Sequence, residues 1–261
     1  MVIIWSLRQK KNIKSFCIPH GTLAEHFNKY DKIYKNTIAE AVSSAQSKYF
    51  AVQSKITEKF LKKNKKNYKF KKIKTGNLIF SENSNKKMKN RNTILFAVTV
   101  KAFQSIQYVG VEMYYEFIEN LNFLNSFSKE SDYKILVKLH PGAQKNIADL
   151  KKMYPHLVFT CKKIDNVLEE VFLTISFSST VIEDSLYSNR PVILFDQWKR
   201  YQHCKSEKNL NKKNAAIYYV SDKKDLIKCI KTIQNSQKTN FKDYIYSGVT
   251  KNNILNLKNF F

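Results

Sequence analysis

Residues 172–196 read FLTISFSSTVIEDSLYSNRPVILFD, and their pattern predicts a strand, a serine-rich turn, a helix, a tight exit and a second strand. The two apolar runs, Phe172–Ser176 and Val192–Phe195, are continuous instead of alternating. That is the pattern of parallel strands buried on both faces. Between them Thr180–Tyr187 has the length of a short helix, and Asn189, Arg190 and Pro191 make the exit. A right-handed βαβ crossover is therefore expected. Its turn would set Ser178, Ser179 and Thr180 at a helix N-terminus, where backbone N–H groups and partial positive charge favour a phosphate. Glu183 falls one turn on, on the face of Ser179, as a carboxylate able to accept sugar hydroxyls. Plainer readings stand beside these: Ser178 and Ser179 as simple helix caps, and Glu183 as an exposed carboxylate paired with Arg190 or a lysine. Asp184 is expected to face solvent.

Working outward, the chain opens with a partial α/β lobe over residues 1–80. A strand at 13–22 ends in Pro19, His20, Gly21 and Thr22; a helical segment follows near Thr37–Ser47, then a strand at Tyr49–Val52. Gln53 and Ser54 start a basic helix reaching Lys63, and Lys71–Thr75 reads as a third strand. SENSNKKMKNRN at 81–92 is polar and without periodicity, which marks a linker. Strands and helices then alternate. Strands are expected at Thr93–Thr99, Tyr133–Leu139, Leu157–Thr160 and Ala216–Val220, with helices at Val109–Phe127, Ala143–Met153, Asp165–Val171 and from Ser221 or Asp222 to Ile233. In the longest, Tyr114, Phe117, Leu121 and Leu124 share a face. Residues 93–234 are thus expected to be a doubly wound, Rossmann-like domain, with a helical tail at 235–261.

With 261 residues, 43% of them hydrophobic, the chain can bury one large core or two smaller ones. No apolar run approaches the ~18 residues needed to span a bilayer, and MVIIWSL lacks the charge order of a signal peptide. A cytoplasmic protein is expected, peripheral on the inner face of the plasma membrane if its basic surface binds anionic lipid. Cys17, Cys161, Cys204 and Cys229 are widely spaced without zinc-site partners, and neither metal nor cofactor is implied. The net charge of +25 invites a nucleic-acid reading. Yet arginine occurs only at Arg8, Arg91, Arg190 and Arg200, so bidentate readout of guanine or phosphate is scarce. A solvated lysine-rich surface or an anionic-membrane patch accounts for the charge better than nucleic acid does.

Glycine is scarce too, with five in the chain, and Gly21, Gly76 and Gly142 each follow an expected strand. Ligands of open α/β sheets bind at such strand ends. At one of them Lys138, His140, Pro141 and Gly142 fall together; Lys138 and His140 point the same way and can both meet an anion. The alternative for His140 is a bond to a local carbonyl. His20, in the other histidine turn, can serve as a general base or donate to a phosphate; a purely structural turn histidine is the alternative. Asp196 and Gln197 follow the last strand of the opening stretch and can reach the same edge.

PHGT at 19–22, TGN at 75–77, LHPG at 139–142 and SFSSTVIEDSLYSNRPVILF at 176–195 resemble bacterial GT-B glycosyltransferases of surface and capsular polysaccharide synthesis. They are also similar to CDP-glycerol glycerophosphotransferases and to transferases that use CMP-sialic acid. The resemblance implies two Rossmann-like lobes, the C-terminal one holding a nucleotide-activated sugar or polyol. It implies donor contacts from Lys138, His140, Pro141, Gly142, Ser178, Ser179, Thr180 and Glu183, and a catalytic His20. It further implies a lipid-linked or polysaccharide acceptor and no metal. UDP-GlcNAc 2-epimerases share the architecture, but their Gly-Gly donor loop is replaced here by SFSST. Two full lobes of ~150 residues need a longer chain, so a fragment, a split enzyme completed by a partner chain, or an inactive remnant is expected. The rival readings are a non-catalytic basic protein of anionic membranes or nucleic acid, and a UDP-sugar 2-epimerase-like enzyme.

Overall fold

The computed structural model describes residues 15–19, 22–43, 47–64, 68, 70–76, 91–98, 111–140, 145–236 and 238–246. His20, Pro141, Gly142, residues 81–90 of the linker and 247–261 of the expected tail lie outside them. Contacts divide the chain into two units. Residues 1–84, 203–205 and 241–261 belong to unit 1, and residues 85–202 and 206–240 to unit 2.

In unit 1, β1 (Phe16–Cys17), α1 (Lys29–Ser43), β2 (Tyr49–Val52), α2 (Lys55–Lys63) and β3 (Lys71–Lys74) build a parallel sheet of order β1-β2-β3. Tyr49 lies opposite Phe16 on one side and Lys71 on the other. Leu23, Ala39, Phe50, Val52, Phe60 and Leu61 form its core. Phe50 stacks on Phe70 with ring centroids 4.5 Å apart. The first helix begins at Lys29, eight positions before the expected Thr37, because Asn28 and Asp31 form a reciprocal cap. Asp31 N–H donates to Asn28 Oδ1 at 2.8 Å, and Asp31 Oδ1 accepts from the N–H of Asn28 at 3.3 Å and of Phe27 at 3.0 Å. Ser54 caps α2 as expected, accepting Thr57 N–H at 3.3 Å. The described part of the expected tail is not helical. Residues 242–244 form a turn, and Tyr244 O accepts Lys55 N–H at 2.9 Å.

Unit 2 follows as β4 (Thr93–Ala97), α3 (Val111–Lys129), β5 (Lys134–Lys138), α4 (Ile147–Met153), β6 (Leu157–Thr160), α5 (Ile164–Leu168), β7 (Leu173–Ser176), α6 (Val181–Tyr187), β8 (Val192–Phe195), β9 (Ile217–Val220) and α7 (Lys223–Gln234). The six strands are all parallel, in the order β6-β5-β4-β7-β8-β9. Counted within the unit this is 3-2-1-4-5-6, the doubly wound order. The stretch quoted at the outset is the β7-α6-β8 crossover, with Thr174 opposite Val192. Every residue of β4, β7 and β8 is buried, as expected for strands covered on both faces. Asn189 leaves α6 at φ 56°, the left-handed conformation that asparagine tolerates better than most residues. Arg190 N–H closes the turn on Ser185 O at 2.8 Å.

Of the two expected caps for α7, Asp222 is the one used: its Oδ1 accepts Lys224 N–H at 2.7 Å and Asp225 N–H at 3.3 Å. Asp222→Ala is expected to cost about 1 kcal/mol of stability, read as a lower urea midpoint. An unchanged midpoint would mean the cap contributes nothing.

Candidate functional site

In a doubly wound sheet the strand order reverses beside its first strand, and the crevice at the C-terminal ends there is where a ligand fits. Here that place lies between β4 and β7. The buried Ser176 hydroxyl donates to Ala97 O at 3.0 Å and ties the two strand ends together. The chain then passes through Phe177, Ser178 and Ser179, all half-buried, to the exposed Thr180. Ser179 Oγ accepts Val181 N–H at 3.3 Å, so Ser179 does act as a local cap.

The helix that follows has only seven residues. The N–H groups of Ile182 and Glu183 are bonded back to Ser179 O and Thr180 O at 3.0 and 3.1 Å. The first turn is therefore closed on itself, and these two N–H groups are already engaged.

Glu183 is buried, 7% exposed. Arg190 is engaged elsewhere, with its Nε donating to Leu168 O and its Nη1 to Ser188 O, each at 3.0 Å. Asp184 corrects the expectation of a solvent-facing side chain: it is 8% exposed, because α6 lies with most of one turn against the sheet. Lys138, at the end of β5, is half-buried. Burial pushes its ammonium pKa down, while Cys161 and Asp184 favour the charged form. Its Nζ donates to Leu139 O at 3.4 Å. His140 is exposed, and its carbonyl receives the Cys161 thiol at 3.8 Å. The ends of β5, β4 and β7 thus bring together Lys138, His140 and the 176–183 turn. His20, Pro141 and Gly142 lie outside the described residues.

A further polar group at the same sheet edge was not legible in sequence beyond Asp196 and Gln197. Asp196, 1% exposed, closes β8 by accepting Tyr201 N–H at 2.7 Å and the Tyr219 hydroxyl at 3.1 Å. Burial raises its pKa against those bonds. Gln197 N–H donates to Glu116 Oε1 at 2.9 Å and its Nε2 to Asn120 Oδ1 at 2.7 Å, both acceptors on α3. Arg200 Nη2 pairs with Glu116 Oε2. Burial, helped by Asp196 and opposed by Arg200 and the Gln197 N–H, pushes the Glu116 carboxyl up to about 7. The Arg200 guanidinium lies 4.7 Å from the Trp198 ring centroid and 5.4 Å from that of Phe177. Among the described residues no cluster of three or more His, Cys, Asp or Glu is disposed to hold a metal, and no helix is long and apolar enough to cross a membrane.

The two parallel sheets, the second doubly wound, define a GT-B-like α/β fold. The sequence matches no protein-family model and no curated protein. Among solved structures the chain is similar to UDP-GlcNAc 2-epimerase from Methanocaldococcus jannaschii in complex with UDP-GlcNAc and UDP, at 15% identity and TM-score 0.58 over 100% of this chain and 79% of that one. A second structure of that epimerase aligns at 14% identity and TM-score 0.54 over 98% of this chain and 73% of that one. TarM aligns at 17% identity and TM-score 0.46 over 86% of this chain and 44% of its own.

Proposed function

We propose that unit 2 binds a nucleotide-activated sugar or polyol at the ends of β4, β5 and β7, and that the chain is a GT-B-type glycosyltransferase acting on a cell-surface polysaccharide precursor. The observation that carries this reading is the 3-2-1-4-5-6 strand order with Lys138, Ser176–Ser179 and Glu183 gathered at its switch point. In this reading Lys138, His140, Ser178, Ser179 and Thr180 surround the donor phosphates, and Glu183 accepts ribose or sugar hydroxyls. His20 is assigned the removal of the acceptor hydroxyl's proton, as that oxygen bonds to the anomeric carbon and the bond from this carbon to the donor phosphate breaks. The charge left on the departing phosphate is met by Lys138 and His140. No metal is invoked.

Likeness to the epimerase fold favours a second reading, in which a UDP-sugar is bound and inverted at carbon 2 with no acceptor. The two readings separate on one measurement. Incubated with UDP-GlcNAc alone, an epimerase gives its 2-epimer by NMR, whereas a transferase leaves the sugar unchanged until an acceptor is added.

Calorimetric titration with CMP, CDP, UDP and UDP-GlcNAc tests the site itself. At least one should bind, and His140→Ala and Ser179→Ala should each weaken it about tenfold, roughly 1.4 kcal/mol for a charge-assisted hydrogen bond. No binding by any of the four would end both enzymatic readings.

A further inference from the structure

Arg200 stands out because cations in this chain are nearly all lysines. Of the four arginines, Arg8 lies outside the described residues, Arg91 precedes β4 at the opposite end of the sheet, and Arg190 is buried against backbone carbonyls. Among the described residues Arg200 is the one arginine at the ligand edge. Its side chain is 25% exposed while its partner Glu116 is 4% exposed, so the pair has a closed acidic end and an open cationic end. Its Nε is buried with no hydrogen-bond partner among the described residues, and so is Oδ1 of the neighbouring Asp196. The guanidinium is held against Phe177, the residue just before Ser178. The ring of Trp198, 40% exposed, also lies close to it, with its centroid 4.7 Å away. Lys199 between them sits at φ 55°, and its N–H is bonded to Asp196 O at 3.2 Å, which fixes the turn that presents both side chains.

A planar cation, oriented by contact with two aromatic rings and beside the serine turn, is suited to bidentate capture of an oxyanion. We propose that Arg200 binds an oxyanion of the ligand, a donor phosphate or a sugar carboxylate, and that Glu116 is the internal carboxylate which this oxyanion replaces or opposes. The inference rests on the nucleotide-binding reading above and deepens it.

The consequence is proton linkage. Among the described residues the charged groups acting on the Glu116 carboxylate are Arg200 and Asp196, both from the loop after β8; on α3 itself Asn120 is engaged by Gln197. An incoming anion either removes Arg200 from Glu116 or adds a second negative charge beside it, and both raise the proton affinity of Glu116. Since burial pushes that carboxyl up to about 7, anion binding near neutral pH is expected to draw a proton in.

Calorimetry of UDP-GlcNAc and of UDP-glucuronate, in buffers of different ionisation enthalpy between pH 6 and 8.5, reads this directly. Both ligands are diphosphate diesters, free of the terminal phosphate whose own proton leaves near pH ~6. The wild-type protein should take up roughly half to one proton per ligand at pH 7.5, and affinity should fall up to about tenfold per pH unit above 7. Glu116→Gln should abolish the uptake. Arg200→Gln and Arg200→Lys should weaken binding by about tenfold or more, with unchanged circular dichroism. Equal pH slopes for the two ligands assign the oxyanion to the phosphate; a steeper slope for UDP-glucuronate assigns it to the sugar carboxylate. Wild-type binding with no proton uptake, and unchanged affinity in Arg200→Gln, would overturn the inference while leaving the donor site standing. Failure of the wild-type protein to bind any nucleotide would overturn both.

Discussion

Asp31→Ala should lower the stability of unit 1 by about 3–5 kcal/mol, the range for removing one partner of a buried ion pair. Asp31 and Lys35 are almost wholly buried, 3.3 Å apart and one helical turn apart on α1. Burial already pushes the Lys35 ammonium pKa down, and the Asp31 carboxylate is the main group opposing this. Without Asp31 the buried ammonium loses its nearest carboxylate, and must give up its proton or keep its charge with the Glu25 carbonyl, which accepts its Nζ at 2.5 Å. The same carboxylate accepts the N–H groups of Phe27 and Asn28, so the substitution also opens the start of the helix. Urea unfolding of Asp31→Ala, compared with Asp31→Ala/Lys35→Met, checks this. The double variant should recover a substantial part of the loss, because it removes the stranded charge. A single-variant loss below about 1 kcal/mol would show that the pair is solvated and unimportant.

The second large effect is acid lability of the same unit. His203 is 5% exposed, and burial, reinforced by the Lys35 charge, pushes its pKa down to about 3. Its folded pKa is thus depressed below the ordinary value of ~6.5. Its contribution to stability is present above pH ~6.5 and is lost as pH falls toward 3, at up to about 1.4 kcal/mol per pH unit. Glu116 acts in the opposite sense. Its folded pKa of about 7 lies above the usual carboxylate value, so between about 4.5 and 7 the folded state holds the extra proton and unit 2 gains stability as pH falls. The two terms offset each other in a global measurement yet lie in different units. Hydrogen exchange between pH 4.5 and 6.5 should therefore show protection falling in residues 47–64 and rising in residues 111–129. In His203→Asn the loss in unit 1 should flatten by about 1.4 kcal/mol per pH unit. An unchanged slope in that variant would mean that His203 is protonated within the fold.

Much of unit 2 can be read from local pattern. β8 begins and ends where its apolar run does, since a strand buried on both faces declares itself without reference to distant residues; β6, an edge strand with Val158 exposed, also keeps the bounds of its apolar run. α1 starts earlier than its periodicity indicates for a physical reason: its opening residues, KYDKIYKN at 29–36, are charged and weakly periodic, and the Asn28–Asp31 cap sets the helix. That spacing is itself a sequence signal for a helix start. Asp184 reads as solvent-facing because a seven-residue helix gives too few turns to define its buried side. The serine turn, Lys138 and His140 are identifiable as strand-end residues. The Glu116–Gln197–Arg200 group is not, because its members are some eighty positions apart and meet only when α3 folds over the end of β8. Long-range pairing of single polar residues leaves no periodic trace.

All the strand pairs of both sheets are parallel, which has a consequence during synthesis. β4 and β7 are neighbours at the centre of the larger sheet, Ile94 opposite Leu173, yet β7 is translated only after α3, β5, α4, β6 and α5. At ~5–20 residues per second, β4 waits roughly 4–16 s for that partner. Meanwhile TILFA, buried at every position in the finished fold, leans on β5 alone. Lys86, Lys87, Lys89 and Arg91 immediately precede it, and such clustered positive charge opposes self-association of an exposed apolar strand. The basic segment before β4 is therefore expected to oppose self-association of the nascent strand.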